Sequence, residues 1–237
     1  MQGALEEALA KLLGETIAVV GAGRTDAGVH ATGQVASFRT ANPMAIRTIE
    51  RGVNALLPAD VAVSGVGEVA EDFHARFSAT SRTYEYTIWN DVRPRPLLRR
   101  TAWWVPDPLD LGAMEAATGA LVGRHDFGAF AMKVAGARER TVRRASWSAA
   151  EGVLALAIEA DGFLRGMVRG IVGTLVQVGR GRLSAEEFAG VVASADRDRA
   201  AASAPAHGLC LVRVSYGEPG AGRDAPYHGR PADEEDE

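Results

Sequence analysis

The stretch GAGRTDAGVH, Gly21 to His30, sets a guanidinium and a carboxylate, Arg24 and Asp26, two residues apart among glycines. Gly21, Gly23 and Gly28 let the backbone turn tightly and let another group approach closely. The spacing is not the dinucleotide fingerprint, because Asp26 occupies the place of its third glycine and a strand, not a helix, is expected to follow. The Gly-Lys-Ser/Thr ending of a phosphate loop is also missing. Three roles are open to Asp26. It can cap a turn with its own backbone amides. It can ligate a metal together with His30, although no second acidic or histidine cluster accompanies them. It can act as a catalytic carboxylate, since an aspartate beside a guanidinium is held ionised, suits nucleophilic attack and makes a poor general acid.

Other residues have chemistry to offer. Arg165 and Arg169 are four apart in an otherwise apolar run, Phe163 to Val178, and are expected on one face of a helix. A charge in such surroundings needs an anion, and Asp26 is the natural candidate for Arg169. Tyr84 and Tyr86 are expected to divide, one packed in the core and one exposed. His125 and Asp126 read as a turn with a helix-capping aspartate rather than an acid–base pair. His30 and His74 are expected to be structural or to face a bound partner rather than to be catalytic. The single cysteine, Cys210, excludes an internal disulfide and a cysteine-rich zinc site, and reads as a small core hydrophobe.

The elements that must hold these residues follow from periodicity. Helices are expected at Ala4–Leu13, Pro43–Leu57, Asp110–Val122, Phe163–Val178 and Ser184–Val192. Strands are expected at Thr16–Ala22, Gly33–Arg39, Asp60–Val69, Arg82–Asn90 and Leu209–Tyr216. A strand pair around a turn at Glu151–Gly152 is expected within Thr141–Ala160. Strands and helices mix without βαβ alternation, so the class is α+β with largely antiparallel sheets. The expected organisation is an N-terminal half over 1–92 carrying the Asp26 loop, a proline- and arginine-rich linker over 93–100, a C-terminal half over 101–216 and an acidic, disordered tail over 217–237.

The chain has 237 residues, enough for one large domain or two small ones at roughly 150 residues each. No apolar run reaches the roughly 18 residues that would span a bilayer. The first residues, MQGALEEALAKLLGE, read as an amphipathic helix and not a signal peptide. A cytoplasmic, non-membrane protein is expected. The formal charge is −4, but the last 21 residues hold seven of the 30 acids and two of the 26 bases. The body therefore carries 24 bases against 23 acids, and only Lys11 and Lys133 are lysines. Two segments, Arg76–Arg100 and Lys133–Arg144, are each +4 and are the candidates for contacting nucleic-acid phosphates.

Longer motifs carry a resemblance. AGRTDAGVHATGQVASF, DFHARFSATSRTYEYTIWN, LVGRHDFGAF, DGFLRGMVRGIVGTLVQVGRG and APAHGLCLVRVSY occur in this order between residues 22 and 216. The chain resembles the TruA-type tRNA pseudouridine synthases. The resemblance implies two similar α+β halves with a cleft between them, a homodimer, and no metal or organic cofactor. It implies isomerisation of uridine to pseudouridine at positions 38–40 of the tRNA anticodon stem-loop. It assigns Asp26 as the catalytic aspartate and Arg24 as the arginine that helps hold the target nucleotide out of the helix. Tyr84 becomes the tyrosine that stacks on the target base, and Arg169 the basic partner of the carboxylate. The chemistry asks for these types independently. A uridine in a stem must be flipped out, at a cost of about a few kcal/mol. An aromatic face recovers about 1–3 kcal/mol per stacked base.

Family members begin about 25–30 residues earlier, with a first strand and a loop that this sequence lacks. Loss of a central strand is expected to leave neighbouring backbone groups unpaired. A late start assignment and a compromised form both remain open, so a non-catalytic RNA-binding module stands as the alternative. A metal-dependent hydrolase would require activity that a chelator removes.

Overall fold

The computed structural model describes residues 1–132 and 136–217. The expected tail from Glu218 onward and Lys133 lie outside the described residues. Two compact units interleave along the chain, one from 1–22, 35–79 and the segment from Ser215, the other from 23–34 and 80–214. Residues 93–100, expected as a linker, lie inside the second unit.

The first unit holds α1 (Gln2–Leu13) and α2 (Ile46–Leu56), packed through Leu9, Leu13, Ile49 and Val53 with Ile17 and Val19. Gly14, at φ 71, ends α1 in the left-handed conformation that glycine adopts without cost. Its strands are short: β1 (Val20–Gly21) pairs antiparallel with β3 (Ala36–Ser37). The longer strands expected at 16–22 and 33–39 shrink to these pairs, and none forms at 60–69. Helix side chains take the place of strand partners. Glu6 Oε1 accepts from Val19 N at 3.0 Å, and Gln2 Nε2 donates to Val19 O at 3.0 Å. Asn54 of α2 bonds both N–H and C=O of Val63 at 2.7 Å, and Glu50 accepts from Val66 N at 3.0 Å. Backbone polar groups satisfied this way need no ladder.

The second unit is built on a seven-stranded sheet. Its strands are β2 (His30–Ala31), β4 (Ala79–Asn90), β5 (Trp103–Val105), β6 (Gly123–Asp126), β7 (Glu139–Ala150), β8 (Val153–Ala160) and β9 (Leu209–Tyr216). The order is β2-β9-β4-β8-β7-β6, with β5 beside β4. The β4/β8, β7/β8 and β6/β7 pairs are antiparallel, while β2/β9 and β4/β5 are parallel. The β7–β8 turn falls on Glu151 and Gly152, as expected, with φ 49 and 80 at the two residues. Two positive φ values match the twist of a tight hairpin. A side chain at Gly152 would meet the Trp89 ring at 2.9 Å.

Three helices, α3 (Leu111–Thr118), α4 (Met167–Gly179) and α5 (Ala185–Ser194), pack on one another and build the core with Tyr86, Phe127, Phe130 and Leu156. Asp110 caps α3 through Ala113 N, and a reciprocal Ser184–Glu187 box opens α5. The architecture is α+β with a mostly antiparallel sheet. Among the described residues no helix is long and apolar enough to cross a membrane.

Helix α4 starts four residues later than its apolar run. Gly166 sits at φ 75, where a side chain would meet Met132 at 2.9 Å, so Phe163–Arg165 form an approach to the helix rather than its first turn. Tyr84 and Tyr86 are also placed differently from expectation, because both are buried, at 8% and 0% exposure. Residues two apart on a strand share a face, and here that face is the core. Cys210 is free and half-buried.

Candidate active site

Glycine shapes the Asp26 loop from within. Val29 N donates to Asp26 O at 3.1 Å, closing a turn in which Gly28 takes φ 83. The chain then enters β2, where His30 and Ala31 lie beside Cys210 and Leu211 of β9. Thr32 N and Gly33 N both donate to Leu211 O, at 3.0 and 3.1 Å. At Gly33 an added Cβ would run into the Val212 carbonyl. Gln34 Nε2 donates back to Gly23 O at 2.9 Å and fastens the two ends of the loop.

The Asp26 carboxylate is spent on arginines. Oδ2 accepts from Arg169 Nη1 at 3.3 Å and Oδ1 from Arg165 Nε at 3.2 Å. The turn-cap role is therefore not the one adopted, because neither oxygen accepts from a loop amide among the described bonds. The two arginines differ. Arg169 is 20% exposed, and Arg165 is 72% exposed. Arg169 is fixed twice more: its Nε donates to Ala204 O at 2.7 Å, and its own carbonyl accepts from Ala204 N at 2.9 Å. Helix α4 is pinned by close backbone approach. A Cβ at Gly170 would lie 2.6 Å from Phe130 O, and one at Gly173 would run into Ala202 O. Arg165 and Arg169 do not share a helix face, since Arg165 lies before α4, yet both reach the same carboxylate.

Tyr84 projects from β4 toward the same loop. A Cβ at Gly23 would be 4.0 Å from its hydroxyl, and the Phe163 ring meets it edge-on at 5.0 Å. Burial pushes the Tyr84 hydroxyl above its usual range; Arg82 opposes this and the Asp26 charge adds to it. At 8% exposure little of the ring is open to a base in this state. Arg24 is exposed and makes no ion pair with Asp26 among the described residues.

The remaining candidates make contacts within the protein. Asp126 accepts from Gly128 N at 2.8 Å and from Arg138 at 2.7 Å, which is the capping role expected of it. His125 and His30 bond to backbone carbonyls. Among the described residues no three His, Cys, Asp or Glu gather as metal ligands. Within the basic segments, Arg138 pairs with Asp126 and Arg143 with Glu159, while Arg95 lies over the Trp89 ring at 5.1 Å. Sequence reasoning missed the Arg165 contact, the Gln34 clasp and the Ala204 carbonyl. Only the first had a signal, the four-residue spacing from Arg169.

A half-buried, fixed cation and a loose, exposed one on a single carboxylate make an oriented anion with one side facing solvent. Such a group can add to an electrophilic carbon. Comparison with known proteins gives the chemistry a setting. A family model described as tRNA pseudouridine synthase matches residues 1–78 and 117–217. The tRNA pseudouridine synthase A of Roseiflexus sp. (strain RS-1) is 47% identical over 230 residues, covering 94% of this chain and 84% of that protein. The proteins of the same name from Chloroflexus aurantiacus (strain ATCC 29366 / DSM 635 / J-10-fl) and Geobacter sp. (strain M21) are 48% and 46% identical. The alignments cover 91% of this chain and 80% of the first protein, and 92% and 90% for the second. On this agreement across the length of the chain, it belongs to the tRNA pseudouridine synthase family.

Proposed function

We propose that the chain isomerises uridine to pseudouridine within tRNA, with Asp26 as nucleophile. The observation that carries this reading is the Asp26 carboxylate held by Arg169 and Arg165 on a glycine loop. In the reaction the N1–C1′ bond of uridine breaks and a C5–C1′ bond forms. The C5 proton is lost and N1 ends protonated, so no oxidant or reductant is needed. Asp26 adds to the substrate at ribose C1′ or at the uracil ring and is released when the new bond is made. Arg169 holds the carboxylate and Arg24 holds the displaced nucleotide. Tyr84 packs against the target base, which requires its ring to gain an open face when RNA enters.

The family resemblance supports positions 38–40 of the anticodon stem-loop as targets, a homodimer working in the cytoplasm, and no metal or organic cofactor. The test is release of tritium from tRNA labelled at uracil C5 and carrying uridine in the anticodon stem. The expected result is release that persists in excess chelator. A folded, tRNA-binding chain that released none would overturn the reading.

A further inference from the structure

The motif around His74 contains a feature that the isomerisation chemistry does not use. Phe77 is 76% exposed, the most exposed aromatic side chain among the described residues. Its loop is nevertheless rigidly made. Each backbone N–H from His74 to Ser78 donates a hydrogen bond. His74 N donates to Ser78 Oγ, Ala75 N to Ser37 Oγ, and Ser78 N to His74 O. Arg76 N and Phe77 N both donate to His74 Nδ1, at 3.2 Å each. Ala75 is fully buried, and its carbonyl accepts from the Tyr216 hydroxyl at 2.7 Å. The imidazole so locked lies against Phe77 with centroids 4.3 Å apart and planes 30° apart. The exposed Arg76 guanidinium lies 5.5 Å from the same ring centroid.

A loop with every amide satisfied does not expose a phenyl ring through disorder. It presents an aromatic face, backed by an imidazole and flanked by a cation, with its ordering cost already met in the free protein. We propose that Phe77 is a stacking platform for an unpaired nucleobase of the substrate tRNA, with the Arg76 charge beside the adjoining phosphate. This inference rests on the tRNA reading above. The chemistry favours a nucleobase because an aromatic face suits any base and a guanidinium suits phosphate.

The test measures tRNA binding by the full chain and by Phe77→Ala, Phe77→Leu and Phe77→Trp. The ring is exposed, so melting temperatures should match and losses of binding can be read as contact. Alanine and leucine are expected to weaken binding by about 5- to 150-fold, the worth of one stacked base. The slope of affinity against salt should not change, because no ionic contact is lost. Tryptophan should keep the affinity, and its added emission should be quenched by RNA. Alanine and leucine variants within twofold of the parent would overturn the proposal. So would unchanged RNA affinity with altered sedimentation, which would assign the ring to a protein contact. A parent chain that bound tRNA through Phe77 but released no C5 tritium would strike the isomerase reading and leave this one standing.

Discussion

At the scale of residues, the site rests on unequal partners of one carboxylate. Arg169 is half-buried and bonded to both Asp26 and Ala204, whereas Arg165 is mostly in solvent. Removing this cation also strands the carbonyl of the buried Ala204, so Arg169→Ala should lower the urea-derived stability by about 2 kcal/mol. Arg165→Ala should cost no more than about 1 kcal/mol, as exposed ion pairs do. Equal losses would mean that the difference in burial has no energetic consequence. Asp26 could be read from the sequence because a carboxylate among glycines has few uses, and Arg169 because a charge in an apolar run needs an anion. Arg165 was half legible: its spacing was visible, but the left-handed turn at Gly166 that removes it from α4 was not. The burial of Tyr84 alongside Tyr86 follows from the two-residue period of a strand, and both side chains point to the core.

At the scale of elements, close backbone approach is what fixes the loop and α4. Gly33→Ala places a methyl group against the Val212 carbonyl and forces β2 away from β9. A loss of about 1–3 kcal/mol in urea unfolding is expected, together with loss of tritium release, because the return path of the Asp26 loop moves. Strand β4 carries a pH signature. The Tyr84 hydroxyl is raised above its ordinary value of 10.0 by burial, and Tyr86 beside it is raised for the same reason. The neutral phenols are therefore favoured in the fold. Their contribution is complete below pH 10 and is lost as pH climbs toward the folded-state values, because the unfolded chain ionises first. Stability should fall above about pH 10, by up to about 1.4 kcal/mol per pH unit for each tyrosine. Tyr84→Phe should reduce that slope when unfolding is followed from pH 9 to 11. The long β7–β8 hairpin, β4 and the helices were legible because their hydrogen bonds run to neighbours of regular pattern. The run at 60–69 was misread as a strand because Asn54 and Glu50 supply its partners from a helix, which alternation cannot reveal.

At the scale of the whole molecule, the body is nearly neutral and its bases are almost all arginine. RNA binding by such a surface depends on scattered phosphate contacts and should weaken steeply with salt. Arg24→Ala should weaken tRNA binding for all sequences alike and reduce the logarithmic salt slope by about 1. Its melting temperature should be unchanged, since Arg24 is exposed. An unchanged slope would remove Arg24 from the RNA contact. The α+β class was legible from the mixture of periods, and the order of motifs pointed to the family before any coordinate. The interleaving of the two units was not, because no local pattern shows that residues 23–34 join the sheet built by 80–214. The measurement that bears most directly on the central claim compares C5-tritium release from tRNA by the parent chain and by Asp26→Asn. Near-isosteric asparagine keeps the loop but cannot add to the substrate as a carboxylate. Release by the parent and none above background by the variant is the predicted result; equal release by both would contradict the assignment of Asp26.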